Sequence, residues 1–219
     1  MTRIELTAPG GEDPHETVDP VRVVVDLDAG CRLASIVVGV GDAATELLAP
    51  SPDGTGTDST GWGSFPMAPW AGRLRQGRYA APDGDVWLCR NHRDATGAGG
   101  APIRPVLPAR ATDADVDDRA HAIHGTVFGR RWRLDHHGRS ELAASCDLGA
   151  DDPLALGWPF GGVCRQTISV GVRSVDATIE VEADAAPFVA VVGWHPWFAK
   201  PDRLRFAPNA MYEQDDSGM

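Results

Sequence analysis

Two neighbouring stretches, C-R-Q-T-I-S-V-G-V at 164–172 and D-A-T-I-E-V-E-A at 176–183, alternate apolar and polar side chains along their length. A period of two sends every second side chain to the same face, so each stretch has one face to bury and one to wet. Strands of that kind belong to antiparallel sheets that pack on one side only. Much of the chain reads the same way, with strands expected at 21–28, 31–40, 131–135, 141–147, 163–172, 174–183 and 189–193. Short turns join them, and Pro82-Asp83-Gly84 predicts a hairpin between 73–80 and 85–89. No segment keeps a helical period over three turns. The expectation is an all-β chain, an antiparallel β-sandwich forming one domain over 1–219.

Other stretches resist a regular reading. Residues 51–63 are rich in Gly, Ser, Thr and Asp and predict a loop, while 65–73 reads as neither a tidy strand nor a helix. Residues 91–120 mix Gly, Pro, Ala and Asp without apolar periodicity, the signature of a poorly ordered insertion. Residues 204–206 predict one more strand, after which N-A-M-Y-E-Q-D-D-S-G-M leads into a turn. A sandwich does not normally close on an open edge, so a further C-terminal portion is expected.

Composition narrows the function classes. A formal net charge of −11 argues against a nucleic-acid partner or an anionic membrane surface. No apolar run approaches the roughly 20 residues of a spanning helix, and the N-terminus lacks the apolar core of a signal peptide. The four cysteines, Cys31, Cys89, Cys146 and Cys164, form no C-x-x-C pair. The expectation is a reduced, cytoplasmic protein.

Chemistry concentrates in a few places. V-V-G-W-H-P-W-F at 191–198 brings His195 among tryptophans, with Pro196 expected to stop the strand. An imidazole there can act as a general acid or base, ligate a metal or serve structurally. Burial lowers its pKa and a neighbouring carboxylate raises it. Trp194 beside it, and Trp70 in F-P-M-A-P-W-A-G-R-L at 65–74, offer rings that stack on the apolar faces of sugars. Arg73 in that second stretch has a planar fork suited to a hydroxyl-rich or anionic ligand. H-A-I-H-G at 121–125 adds His121 and His124, three apart and so on opposite faces of a strand, followed by Gly125, which lets a ligand approach the backbone. His136 and His137 read as a solvated loop pair, Arg130, Arg131 and Arg133 as an alternating wet face, and W-P-F-G-G at 158–162 as a capping loop.

Taken in order, F-P-M-A-P-W-A-G-R-L-R-Q-G-R-Y, H-A-I-H-G-T-V-F, G-W-P-F-G-G and G-W-H-P-W-F resemble the aldose 1-epimerase (galactose mutarotase) family, over most of the chain from Val21 onward. The resemblance implies a galactose mutarotase-like supersandwich with an open carbohydrate cleft. It also implies interconversion of the α and β anomers of a free aldohexose without metal or cofactor. In the family a glutamate takes the proton from the C1 hydroxyl while a histidine protonates the ring oxygen. His195 corresponds to that acid, His124 to a histidine near the reacting atoms, and Arg73 to an arginine holding a sugar hydroxyl. Gly72 stands where many members have Asn, and Thr126 where many have a second Gly.

The family's glutamate base and a sugar-binding aspartate lie C-terminal to anything in this sequence, and Glu213 has no matching motif around it. The expectation is therefore an acid without its base, and weak or absent turnover. Three alternatives follow: a non-catalytic carbohydrate-binding relative, a hexose-6-phosphate mutarotase, and a cupin-like metalloprotein using His121, His124 and His195.

Overall fold

The structure is a computed structural model. It describes residues 2–8, 20–51, 61–84, 86–88, 92–93, 120–149, 158–184, 186–201, 203, 205 and 207. Most of the expected insertion at 91–120 lies outside the described residues, as do Leu204 and Phe206 of the strand expected at 204–206, Cys89 and Glu213; Arg205 is in no strand.

Fifteen strands and two single-turn 3₁₀ segments account for the regular structure, and no α-helix occurs among the described residues. The largest sheet runs β1 (Arg3–Thr7), β2 (Val21–Asp26), β3 (Arg32–Val38), β5 (Ser64–Met67), β15 (Gly193–Pro196), with β4 (Thr45–Glu46) also paired to β3. A second sheet, β11 (Arg133–His137), β12 (Glu141–Asp147), β13 (Val163–Val170) and β14 (Val175–Glu182), is a simple meander. β6 (Arg73–Leu74), β10 (Ala120–Ile123) and β9 (His92–Arg93) form a small third sheet, and β7 (Arg78–Ala80) with β8 (Val86–Leu88) a hairpin. All the strand pairings are antiparallel.

The alternation that opened the sequence reading does its predicted work. β13 buries Cys164, Gln166, Ile168 and Val170 and exposes the residues between them. Those side chains meet Leu6, Val23 and Val25 of the large sheet, which are also buried, to form the sandwich core. Burial of this kind is worth about 1.5–3 kcal/mol for each large apolar side chain. A second apolar centre gathers Trp70, Tyr79, Trp158, Phe160 and Phe188, with ring centroids 4.9–6.0 Å apart.

Several expectations are corrected. Residues 64–67 form a strand, β5, between β3 and β15, and all four are buried. A strand buried on both faces shows no alternation, which is why it read as irregular. The strand expected at 189–193 is instead Gly193–Pro196, and Val191 makes only an isolated parallel bridge to Trp70. Pro196 does not stop the ladder. It pairs with Ser64, and Trp197 continues by donating its N–H to the Gly63 carbonyl at 2.8 Å. Among the described residues β15 is the last strand of the large sheet, and a proline's missing donor is tolerated on the side away from β5.

The hairpin turn at 82–84 is as expected, but its first arm is only Arg78–Ala80. Residues 75–77 form a 3₁₀ turn in which Gly77 has φ +70°. The strand expected at 131–135 is Arg133–His137, so His136 and His137 are exposed strand residues, with His136 Nε2 3.0 Å from Glu141 Oε1. Arg130 is buried rather than on a wet face; its N–H closes a turn on the Val127 carbonyl at 3.3 Å and nearby Trp132 is tied to the Leu27 carbonyl at 2.8 Å. Trp158 and Phe160 are core residues, not a cap, since their rings complete the second apolar centre.

Candidate active site

Register and strand periodicity assemble the site. His195 pairs across β5–β15 with Phe65, and their rings stack at 5.0 Å and 15°. Trp197, two residues on and therefore on the same face, stacks on His195 at 5.3 Å and 19°. The imidazole is thus held between a phenyl ring and an indole. Trp194, one residue away, must point to the opposite face, and there its Nε1–H donates to Gln166 Oε1 at 2.8 Å. The expectation that Trp194 stacks on a sugar beside His195 is corrected by that geometry. The second aromatic wall is Phe65.

His124 comes from the segment after β10. Its ring lies 4.8 Å from that of His195 at 71°, and 5.7 Å from Phe65. The backbone forces this meeting. His124 has φ +58°, an uncommon conformation for a residue with a side chain, and Gly125 follows at φ +77°. A Cβ on Gly125 would stand 1.9 Å from the Ala68 carbonyl oxygen, so only glycine allows the approach. The His124 N–H donates to the Gly72 carbonyl at 2.8 Å and the Thr126 N–H to the Ala68 carbonyl at 2.7 Å. Those bonds fasten H-A-I-H-G to F-P-M-A-P-W-A-G-R-L. Two of the sequence motifs become neighbours through main-chain hydrogen bonds, and β15 brings the third.

Arg73 lies on β6 opposite Ile123, one residue before His124, and is half-buried. Trp70 is 3 % exposed and packs 6.0 Å from Trp158, so the expectation that it faces a sugar is corrected. Its preference for the core follows from the bridge that binds it to Val191 beside the aromatic centre.

Electrostatics at His195 are set by burial and by a buried cation. Desolvation holds its pKa below the usual imidazole value. A contact with its own main chain works against that, and the charge of Arg32 adds to the lowering. Nδ1 is buried with no hydrogen-bond partner beyond that main chain among the described residues. Sequence reading missed Phe65, Phe128 and Arg32 as contributors. Phe65 and Phe128 sat within quoted motifs, but only the register puts their rings 5.4 Å apart beneath the histidines.

Among the described residues no three His, Cys, Asp or Glu side chains group as metal ligands, and the side chain of His121 lies outside them. A separate cavity of about 680 Å³ is lined by Arg130, Arg131, Arg133, Arg165 and Glu182, among others, and by neither histidine. Its exposed arginines are engaged in ion pairs, Arg165 with Glu182 at 2.6 Å, Arg133 with Asp135 at 2.8 Å and Arg131 with Asp28 at 3.1 Å.

The family model described as aldose 1-epimerase matches residues 21–216. No curated protein sequence matches the chain. Among solved structures, the GalM/aldose epimerase homologue from C. elegans superposes with a TM-score of 0.59 at 14 % identity, covering 90 % of this chain and 51 % of that one. A galactose mutarotase related enzyme from Lactobacillus acidophilus gives 0.57 at 15 %, covering 90 % and 50 %. A galactose mutarotase-like protein from Clostridium acetobutylicum gives 0.62 at 10 %, covering 92 % and 57 %. At these identities the likeness is one of fold, and the chain spans about half the length of the structures it matches.

Proposed function

The chain belongs to the aldose 1-epimerase family, and on that premise we propose that it binds a free aldohexose at the paired histidines and acts as an anomer-interconverting isomerase. The observation that carries this reading is the meeting of His195 and His124, 71 residues apart in sequence (195 minus 124), with ring centroids 4.8 Å apart against an aromatic floor.

Opening a pyranose requires a proton delivered to the ring oxygen as one leaves the C1 hydroxyl. His195 is the donor in this reading. With Nδ1 buried, Nε2 is the nitrogen left for a ligand. The stack between Phe65 and Trp197 fixes the ring plane, so the proton travels along one direction. His124 meets the sugar close to the reacting atoms, and Arg73, next to it through the Ile123 pairing, holds a hydroxyl further along the ring. Trp197, 40 % exposed, offers the stacking surface that Trp70 and Trp194 do not. In the family the C1–OH proton passes to a glutamate, which has no counterpart in this sequence; here it passes to water, and turnover by this chain is expected to be weak.

Polarimetry of freshly dissolved α-D-glucose and α-D-galactose tests the proposal. Acceleration of mutarotation that falls by about 10²–10⁴ in His195→Ala supports it, the range expected on losing one partner of an acid–base pair. Saturable sugar binding without acceleration supports a carbohydrate-binding relative instead. Neither binding nor acceleration sinks both.

A further inference from the structure

The large sheet carries a row of side chains that crosses it at right angles to the strands and ends at His195. Arg3 on β1 pairs with Asp26 on β2, and Asp26 with Arg32 on β3. The Leu33–Ser64 register sets Arg32 beside Phe65 on β5, and Phe65 pairs with His195 on β15. Neighbouring strands lie about 4.8 Å apart, so a row of this kind brings each side chain against the next. The contacts agree. Arg3 Nε is 2.9 Å from Asp26 Oδ2, the Arg32 guanidinium carbon stands 4.7 Å from the centre of the Phe65 ring, and Phe65 stacks on His195 at 5.0 Å. Because β5 lies between β3 and β15, Arg32 and His195 approach Phe65 from the strands on its two sides.

We propose that Arg32 is a positioning residue for His195, acting through Phe65: the buried cation holds the phenyl ring as a plate against the imidazole and so fixes its plane. Asp26 and Arg32 are both 0 % exposed, and Arg32 is tied by Nη1 to the Trp62 carbonyl at 2.9 Å and lies 4.2 Å over the Trp62 ring. An arginine stays charged at any working pH, and its position here is set by the fold rather than by a ligand. Attraction between the cation and the phenyl face keeps the plate in place. Among the described residues, the groups facing His195 are Phe65 with Arg32 behind it, Trp197 from its own strand, and His124 from the loop after β10. Of these only Arg32 is a permanent charge, and it lowers the affinity of His195 for a proton.

This inference deepens the proposed role of His195 and rests on it for its meaning in catalysis, but its test does not need turnover. NMR titration of the imidazole resonances of the whole chain reads His195 directly. Arg32→Gln, whose amide sits where Nε faces the Ala29 carbonyl at 3.4 Å, is expected to move the His195 midpoint upward, while Arg32→Lys leaves it at the wild-type value. A folded Arg32→Gln with an unmoved midpoint overturns the proposal, since a merely structural arginine would leave His195 alone. If Arg32→Gln does not fold, Phe65→Leu decides. Removing the plate is expected to turn a single imidazole tautomer pattern into a mixed one, and an unchanged pattern overturns the proposal. Where wild-type mutarotation is measurable, Phe65→Leu is expected to cut kcat by about tenfold with KM within about twofold, the mark of lost orientation rather than lost binding. Absence of wild-type turnover would count against the proposed function and leave the titration result standing.

Discussion

At the scale of single residues, His195 shows how an environment selects a protonation state. Its folded pKa lies below the ordinary imidazole value because burial and Arg32 both disfavour the cation. The unfolded chain therefore binds the proton more readily, and stability rises with pH across the interval between the two values. His195 gives its full contribution above about pH 6.5, and that contribution is lost as pH falls through the lowered folded value. Denaturant titrations at a series of pH values should show wild type losing stability on acidification more steeply than His195→Gln, which has no proton to take up. Equal slopes would show that the site does not resist protonation. The sequence displayed the histidine and its aromatic neighbours plainly. Which of those neighbours touch it depends on strand phase: Trp197 shares its face and Trp194 does not, and an expected strand end at Pro196 hid that phase.

At the scale of elements, Gln166 links three pieces of chain. From the middle of β13 its amide donates to the Cys31 carbonyl at 2.7 Å and its carbonyl oxygen accepts from the Trp194 indole at 2.8 Å. A polar side chain only 1 % exposed is stable there because these partners satisfy it. The link ties the meander sheet to β15 and so holds the strand that carries His195. Gln166→Leu is expected to cost about 1–3 kcal/mol, since the Cys31 carbonyl and the indole N–H lose their partner without water to replace it. In a double-mutant cycle with Trp194→Phe, a coupling energy of about 0.5–1.5 kcal/mol should appear by chemical denaturation. A coupling near zero would mean that the indole contributes packing alone. The alternation of β13 and β14 made those strands legible to within a few residues. β5 was not legible, because all four of its residues are buried and no alternation marks it.

At the scale of the whole molecule, the sandwich also settles the state of the thiols. Cys31, Cys146 and Cys164 are buried thiols outside any disulfide, and burial pushes Cys31 up to about 12 and Cys164 well above the usual thiol range. A thiol reacts as its thiolate, so these three should be inert while the fold persists. Site-resolved mass spectrometry after brief exposure to iodoacetamide should find them unmodified in the native protein and modified in denaturant; rapid native labelling of Cys146 or Cys164 would place the meander sheet in an open state. Cys146 and Cys164 are register partners across β12 and β13, a proximity that their spacing in the sequence does not reveal. What the sequence determined by itself was local and periodic: the antiparallel β character, the turns, and three motifs with histidines among aromatic residues. These depend on neighbours within a few positions, where the period of two and the turn preferences of Gly and Pro act directly. Only the tertiary structure decided the register that lines up Asp26, Arg32, Phe65 and His195. It also decided the close approach at Gly125 that joins His124 to them, and the burial of Trp70 away from them. Those outcomes depend on which strand lies beside which, a long-range choice made by packing the two faces of the large sheet at once, and no single stretch of the chain carries it.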